Sequence, residues 1–214
     1  MNLVNKIVYL WRIEQDFEEK EEVYMRRIVL FSGVSLDGYI AGEDDNLDWL
    51  TDFGANDSEA GDDFGKFERT VDTALMGNGT YNFIVQAGID DPYPNMDTYV
   101  FSRVAKASMG PVKCVSGDLI EFAESLKEQD GKDIWLVGGG SINGLFLKYG
   151  MIDQLHLDVI PMTIGGGTKL FEGEDGLNGL DSITFEGDNT LPGFNLVKTT
   201  PHPSGRVTLI YKKQ

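Results

Sequence analysis

Apolar residues recur along the chain in two alternating rhythms. Short runs of Val, Ile, Leu and aromatic residues read as strands at 27–33, 73–76, 99–101, 112–115, 134–137 and 154–160. Between them, apolar positions fall at helical spacing: Phe64, Phe67 and Val71; the stretch 80–85; Leu119, Phe122, Ala123 and Leu126; and the stretch 142–149. Residues 134–160 show the pattern best. A strand runs into Gly138-Gly139-Gly140-Ser141, then an amphipathic helix, then a second strand. Such a βαβ unit brings its two strands in parallel. The later runs 183–185, 194–199 and 207–211 are separated by turn residues and predict antiparallel strands added at the end. The pattern as a whole predicts an α/β fold. Its central sheet is mixed but mainly parallel, with flanking helices and antiparallel C-terminal strands. No repeat or linker divides residues 25–214, which read as one domain.

Two connections carry further expectations. Asp37-Gly38 supplies the positive φ of a tight turn after the first strand. Residues 42–63 are acidic and read as loop, anchored by Leu47, Trp49, Leu50 and Phe53. Thr80 is expected to cap the helix that follows Gly77-Asn78-Gly79.

Residues 1–24 stand apart as an N-terminal extension. Charge dominates 12–22, and the core pattern begins only at Arg27. Two readings are open. Ile7, Leu10, Trp11 and Glu14 have the spacing of an amphipathic helix. Alternatively, the purine-only codons of Lys20-Glu21-Glu22, two codons before Met25, would form a ribosome-binding site, with Met25 the natural start.

Composition narrows the function. The formal net charge is −17. It repels phosphate backbones and anionic lipid, so neither nucleic acid nor membrane is an expected partner. No apolar run approaches the roughly 18 residues of a membrane span, and a cytoplasmic location is expected. The single cysteine, Cys114, and the distant His156 and His202 lack metal-ligand spacing, so no metal is expected. G-x-S-x-G is absent, and no Ser-His-Asp arrangement declares itself. Chemistry on this chain would rest on a cofactor.

Three segments fall just after predicted strands: Gly77-Asn78-Gly79-Thr80, Ser102-Arg103 and Gly138 to Ser141. In an open parallel sheet, ligands bind at that edge. Glycine before a helix also lets phosphates approach bare N–H groups at the positive end of the helix dipole. The triple glycine is neither a G-x-G-x-x-G fingerprint nor a P-loop. The composite of three strand ends nevertheless predicts a nucleotide site.

These segments resemble the dihydrofolate-reductase-like superfamily. The residues that carry the likeness are Ser35-Leu36-Asp37-Gly38-Tyr39-Ile40-Ala41-Gly42, Met76-Gly77-x-x-Thr80-Tyr81, Val100-Phe101-Ser102-Arg103 and Trp135-Leu136-Val137-Gly138-Gly139-Gly140. Asp153-Gln154-Leu155, Pro161, Gly165, Gly167 and Leu170-Phe171 follow in order. The chain is most similar to the C-terminal reductase domain of the bifunctional riboflavin deaminase–reductase, and within that group to stand-alone bacterial members. One cysteine cannot supply the zinc signature of the deaminase half.

The resemblance implies NADPH along the strand ends and a heterocyclic substrate facing the nicotinamide. Val137, Gly138, Gly139, Gly140, Ser141 and Ile142 would hold the pyrophosphate, and relatives often have a cis peptide between the paired glycines. Gly77, Asn78, Gly79 and Thr80 would meet the phosphates or the adenosine. Ser102 and Arg103 would read the ribose 2′-phosphate. Ser35 and Asp37 would lie by nicotinamide and substrate, with Trp49, Gly165 and Gly166 walling the pocket. Trp49 either stacks on a planar ring or pins its segment to the core. Asp37 and Asp63 are candidate acids, each equally suited to a structural place, as turn former and solvated helix start. The implied activity is reduction of a small planar heterocycle, a pterin or a riboflavin-pathway compound like 5-amino-6-(5-phosphoribosylamino)uracil, by hydride transfer in a homodimer. The alternative is a non-catalytic nucleotide- or metabolite-binding module on the same fold.

Overall fold

The computed structural model describes residues 25–102, 110–173 and 192–214. The extension 1–24, with the question of the start at Met25, lies outside them, as do Arg103 and the predicted strand at 183–185. The parallel strands are β1 (Ile28–Ser35), β3 (Val71–Gly77), β4 (Asp97–Phe101), β5 (Lys113–Val115), β6 (Asp133–Gly138) and β7 (Gln154–Ile160). They stand in the order β5-β4-β3-β6-β1-β7 and are extended antiparallel by β10 (Val207–Lys213) and β9 (Phe194–Pro201). The mixed, mainly parallel sheet with antiparallel C-terminal strands is thus present. A small ladder pairs β2 (Tyr39–Ala41) with β8 (Thr168–Lys169).

The parallel strands are covered on both faces, which is why they read as continuous apolar runs. On one face Ile28, Leu30, Leu75, Ile134 and Leu136 pack with Ala123 and Leu126 of α4 (Leu119–Lys127) and Phe146 of α5 (Gly140–Lys148). On the other, Val29, Ala74 and Trp135 pack under Phe67 of α2 (Ala60–Glu68), while Met76 and Val100 meet Tyr81 of α3 (Asn78–Gln86).

The acidic stretch expected as loop is a short 3-10 turn, Glu43–Asp45, followed by α1 (Asp48–Asn56) and then α2. Helix α1 lies against β1 at Gly33, where a Cβ would stand 2.9 Å from Leu50 Cδ1. Leu47, Trp49, Leu50 and Phe53 therefore belong to a helix and its start, and Trp49 is its buried residue. Thr80 is not a cap either: α3 begins at Asn78 without a side-chain cap.

Candidate active site

Strands β3 and β6 are neighbours, yet their connections leave in opposite directions. The chain passes from β3 through α3 outward to β4, and from β6 through α5 across β1 to β7. This is a topological switch point, and open parallel sheets bind ligands in the crevice at the carboxyl ends of such strands. Gly77 and Gly138 end the two strands there, and an added Cβ on Gly77 would come 3.7 Å from the Gly138 carbonyl oxygen.

Two helix N-termini meet at this crevice from opposite faces of the sheet. Helix α4 is closed by a side chain, Asp118 Oδ1 accepting from the Ile120 and Glu121 N–H groups at 3.0 Å. Helices α3 and α5 carry no such cap, and a helix N-terminus suits an anion. Thr80 ties the two loops together: its Oγ1 accepts from the Gly139 N–H at 3.0 Å.

The three glycines serve different needs. Gly138 has φ +104°, and a Cβ there would meet the Asn143 side chain at 2.8 Å. Gly140 lets the Lys169–Glu172 segment approach, since its Cβ would stand 2.4 Å from the Lys169 carbonyl oxygen. Gly139 alone is bounded by little more than Thr80 Oγ1, at 3.2 Å. The Gly138–Gly139 bond is trans.

An open cleft of about 1450 Å³ runs along this edge. Of the proposed cofactor residues, Gly77, Asn78, Gly79, Thr80, Ser102, Val137, Gly139, Gly140, Ser141 and Ile142 line it. Gly138 lies in the loop without lining the cleft.

The proposed substrate residues stand apart from it. Ser35 is buried; its Oγ donates to Asp37 Oδ1 at 2.6 Å and accepts from the Tyr39 N–H at 3.0 Å. Asp37 Oδ2 accepts from the Gly165 N–H at 2.8 Å. The Ser35 hydrogen bond, followed by that of Gly165, holds the Asp37 carboxyl below its ordinary value. This carboxylate braces the β1–β2 turn against the 164–165 loop. Gly165, Gly166 and buried Trp49 are likewise absent from the cleft lining; neighbouring Leu47 and Leu50 do line it.

Asp63 is also engaged away from the cleft. Its Oδ2 accepts from Arg206 Nη2 at 2.9 Å, and its Oδ1 from Lys66 Nζ at 3.1 Å. Arg206 is 1% exposed and also pairs with Asp57 at 2.6 Å and Asp158 at 2.9 Å. Burial, the largest single influence, would raise the Asp57 and Asp63 carboxyls, but the Arg206 hydrogen bonds together with those of the Glu59 N–H and Ser204 to Asp57 and of Lys66 to Asp63, and the nearby positive charges, hold both low. The partner that fixes Asp63 is 143 residues away, which is why its position in α2 looked open to chemistry.

Sequence reasoning missed the aromatic wall. Phe31, Phe64, Tyr93 and Trp135 line the cleft on the α2 side of the sheet. Alternation along β1 and β6 puts Phe31 and Trp135 on one face, but only the pairing of these strands, Val29 opposite Trp135, brings them together. Among described lining residues, the charged side chains are Asp45 and Glu172. Glu172 reaches the start of α5, where its Oε2 accepts from Ser141 Oγ at 3.3 Å. No described group of His, Cys, Asp and Glu could hold a metal ion, and no described helix is long and apolar enough to cross a membrane.

Residues 26–190 match the model of the RibD C-terminal domain. The protein YwjB of Bacillus subtilis (strain 168) is 34% identical over 147 residues, 68% of this chain and 83% of its own length. A putative riboflavin biosynthesis protein from Shewanella sp. PV-4 superposes with a TM-score of 0.70 at 26% identity, covering 88% of this chain and 99% of that one. Dihydrofolate reductase from Enterococcus faecalis, complexed with NADP(H), gives a TM-score of 0.59 at 17% identity, covering 88% and 96%. This last likeness is one of fold.

Proposed function

The chain belongs to the RibD C-terminal domain family, and we propose that it is an NADPH-dependent reductase of a small planar heterocycle. The observation that carries this is the switch point between β3 and β6, with two helix N-termini lacking side-chain caps at one crevice. The NADP(H) bound by the Enterococcus reductase supports the cofactor, and the Shewanella neighbour's description as a putative riboflavin biosynthesis protein supports the substrate class.

The residues present suit a dinucleotide. The N–H groups of Gly140, Ser141 and Ile142 would hold the pyrophosphate at the start of α5, and Gly77, Asn78, Gly79 and Thr80 would meet the other phosphates or the adenosine. Ser102 and Arg103 would take the 2′-phosphate. The bound nicotinamide supplies the hydride. The protein positions the ring, keeps water from it and leaves one proton to be delivered by water or a cleft-lining group. A cleft-lining group suits this role better than Asp37 or Asp63, each of which is engaged in hydrogen bonds outside the cleft lining. The same fact favours the second reading, a binding module without turnover.

Calorimetric titration with NADPH and NADH, followed by NADPH oxidation assays over pteridines and aminopyrimidines, separates these readings. The reductase reading expects tighter NADPH binding and consumption with one ring class. It also expects Arg103→Ala to lose about 1–3 kcal/mol for NADPH alone, the cost of a charge-assisted contact left unmade. Equal losses for both cofactors would remove Arg103 from 2′-phosphate recognition. Binding without turnover on any ring would favour the module.

A further inference from the structure

We propose that Glu172 is an internal competitor for the cofactor: its carboxylate holds the anion seat at the start of α5, and the pyrophosphate has to displace it to bind. This deepens the reductase reading and rests on it for the place of the pyrophosphate.

The segment that brings Glu172 in is seated on α5 by two glycines one helical turn apart. A Cβ on Gly140 would collide with the Lys169 carbonyl oxygen, and one on Gly144 with the carbonyl oxygen of Glu172 itself. The Glu172 N–H also donates to the Gly140 carbonyl oxygen at 3.0 Å. The backbone at 172 is thereby locked to the helix, and the side chain turns back toward the helix N-terminus. A Cβ added to Gly140 would stand 2.8 Å from Glu172 Cγ and 2.9 Å from its carboxyl carbon. Oε2 accepts from Ser141 Oγ at 3.3 Å, and Oε1 from the Lys169 N–H at 3.3 Å. Gly140, Ser141 and Glu172 all line the cleft. The carboxylate therefore lies against the residues at which the pyrophosphate is placed.

Electrostatics explain both why the carboxylate rests there and why it competes. Helix α5 has no acidic residue in its first turn and no side-chain cap. A carboxylate is stabilised by the positive end of the helix dipole. Glu172, 32 residues after Gly140, supplies the negative charge that the first turn lacks. A pyrophosphate is drawn to the same end for the same reason, and two anions in contact repel. Both can be served only if Glu172 withdraws. Its two hydrogen bonds are long, and rotation about its side-chain torsions clears the seat without moving the locked backbone. A site closed by its own side chain for part of the time binds its ligand with an affinity reduced by the open fraction. Glu172 thus sets how tightly the cofactor is held.

Calorimetric titration of NADPH, and separately of inorganic pyrophosphate, into the full-length native protein, Glu172→Gln and Glu172→Ala tests this, with folding checked by circular dichroism. Gln keeps the length of the side chain and can still accept from Ser141, but it drops the charge; Ala empties the seat. The expected result is NADPH binding about three- to tenfold tighter than to the native protein, the scale of one charge at a helix terminus, and a similar gain for pyrophosphate. Loss of a merely structural contact would weaken binding instead. A gain in either variant upholds the competition. Equal or weaker binding of both probes by the folded variants, or no binding of either probe by any of the three proteins, overturns it. A gain for pyrophosphate in proteins that bind no NADPH would uphold the competitor and sink the reductase reading.

Discussion

His156 is neutral in the folded protein because burial among Phe31, Phe67 and their neighbours lowers its pKa from 6.5 to about 4. In the unfolded chain it takes up a proton near pH 6.5. Above that pH both states are neutral and the folded state has its full stability. As pH falls from about 6.5 to 4 the unfolded state binds a proton that the folded state refuses, and stability falls. The loss should reach roughly 2–3 kcal/mol, at about 1.4 kcal/mol per pH unit. Denaturant melts at pH 7 and pH 5 should show this decline, and a His156→Leu variant should show less of it. Trp49 presents a different case. It is 9% exposed, and its Nε1 is buried without a partner among the described residues. Trp49→Ala should cost about 3–5 kcal/mol, as large-to-small core changes do, while NADPH affinity measured below the transition stays intact. A change in affinity with the melting temperature kept would return Trp49 to the cleft.

Helix α2 is fixed to the sheet from two sides. Phe64 and Phe67 pack on Trp135 and Phe31, while Arg206 pairs with Asp57 before the helix and Asp63 within it. The guanidinium comes from the start of β10, and Asp158 of β7 completes its surroundings. Removing it would leave buried carboxylates unpaired. Arg206→Met should therefore destabilise the protein by about 3–5 kcal/mol, measured by chemical denaturation. A loss under about 1 kcal/mol would mean that the network relaxes into solvent. These long-range partnerships mark the limit of what the sequence made legible. The parallel strands, the glycine loops and the antiparallel end were readable because each is signalled within a dozen residues by periodicity and turn chemistry. Helix α1 and the first turn of α2 were hidden because Asp and Glu crowd their exposed positions and mask the spacing of Trp49, whereas Phe64 and Phe67 made the rest of α2 readable. Asp37 and Asp63 were ambiguous because the groups that engage them, the Gly165 N–H and Arg206, are 128 and 143 residues distant.

At the scale of the whole molecule, the sheet divides its work. Its parallel part carries the cleft, and its antiparallel end carries β9, the outermost described strand, with Leu196 53% and Val197 50% exposed. Bare apolar edge strands invite pairing, and a homodimer is proposed. Light scattering at micromolar concentration should give about twice the mass of the chain; a monomer would oppose this. The resemblance in sequence reached the family and the fold. It did not reach the wall of Phe31, Phe64, Tyr93 and Trp135, because four residues scattered over the chain meet only through strand order.

The central claim is that a dinucleotide binds where β3 and β6 diverge, against bare backbone at Gly139. Calorimetric titration of NADPH into the native protein and into Gly139→Val, with folding checked by circular dichroism, tests it most directly. The account predicts saturable one-to-one binding to the native protein and none to the folded variant, whose branched side chain would crowd Thr80 and the approach of the phosphates. A folded Gly139→Val protein that keeps its NADPH affinity, or a native protein that binds no NADPH, would contradict it.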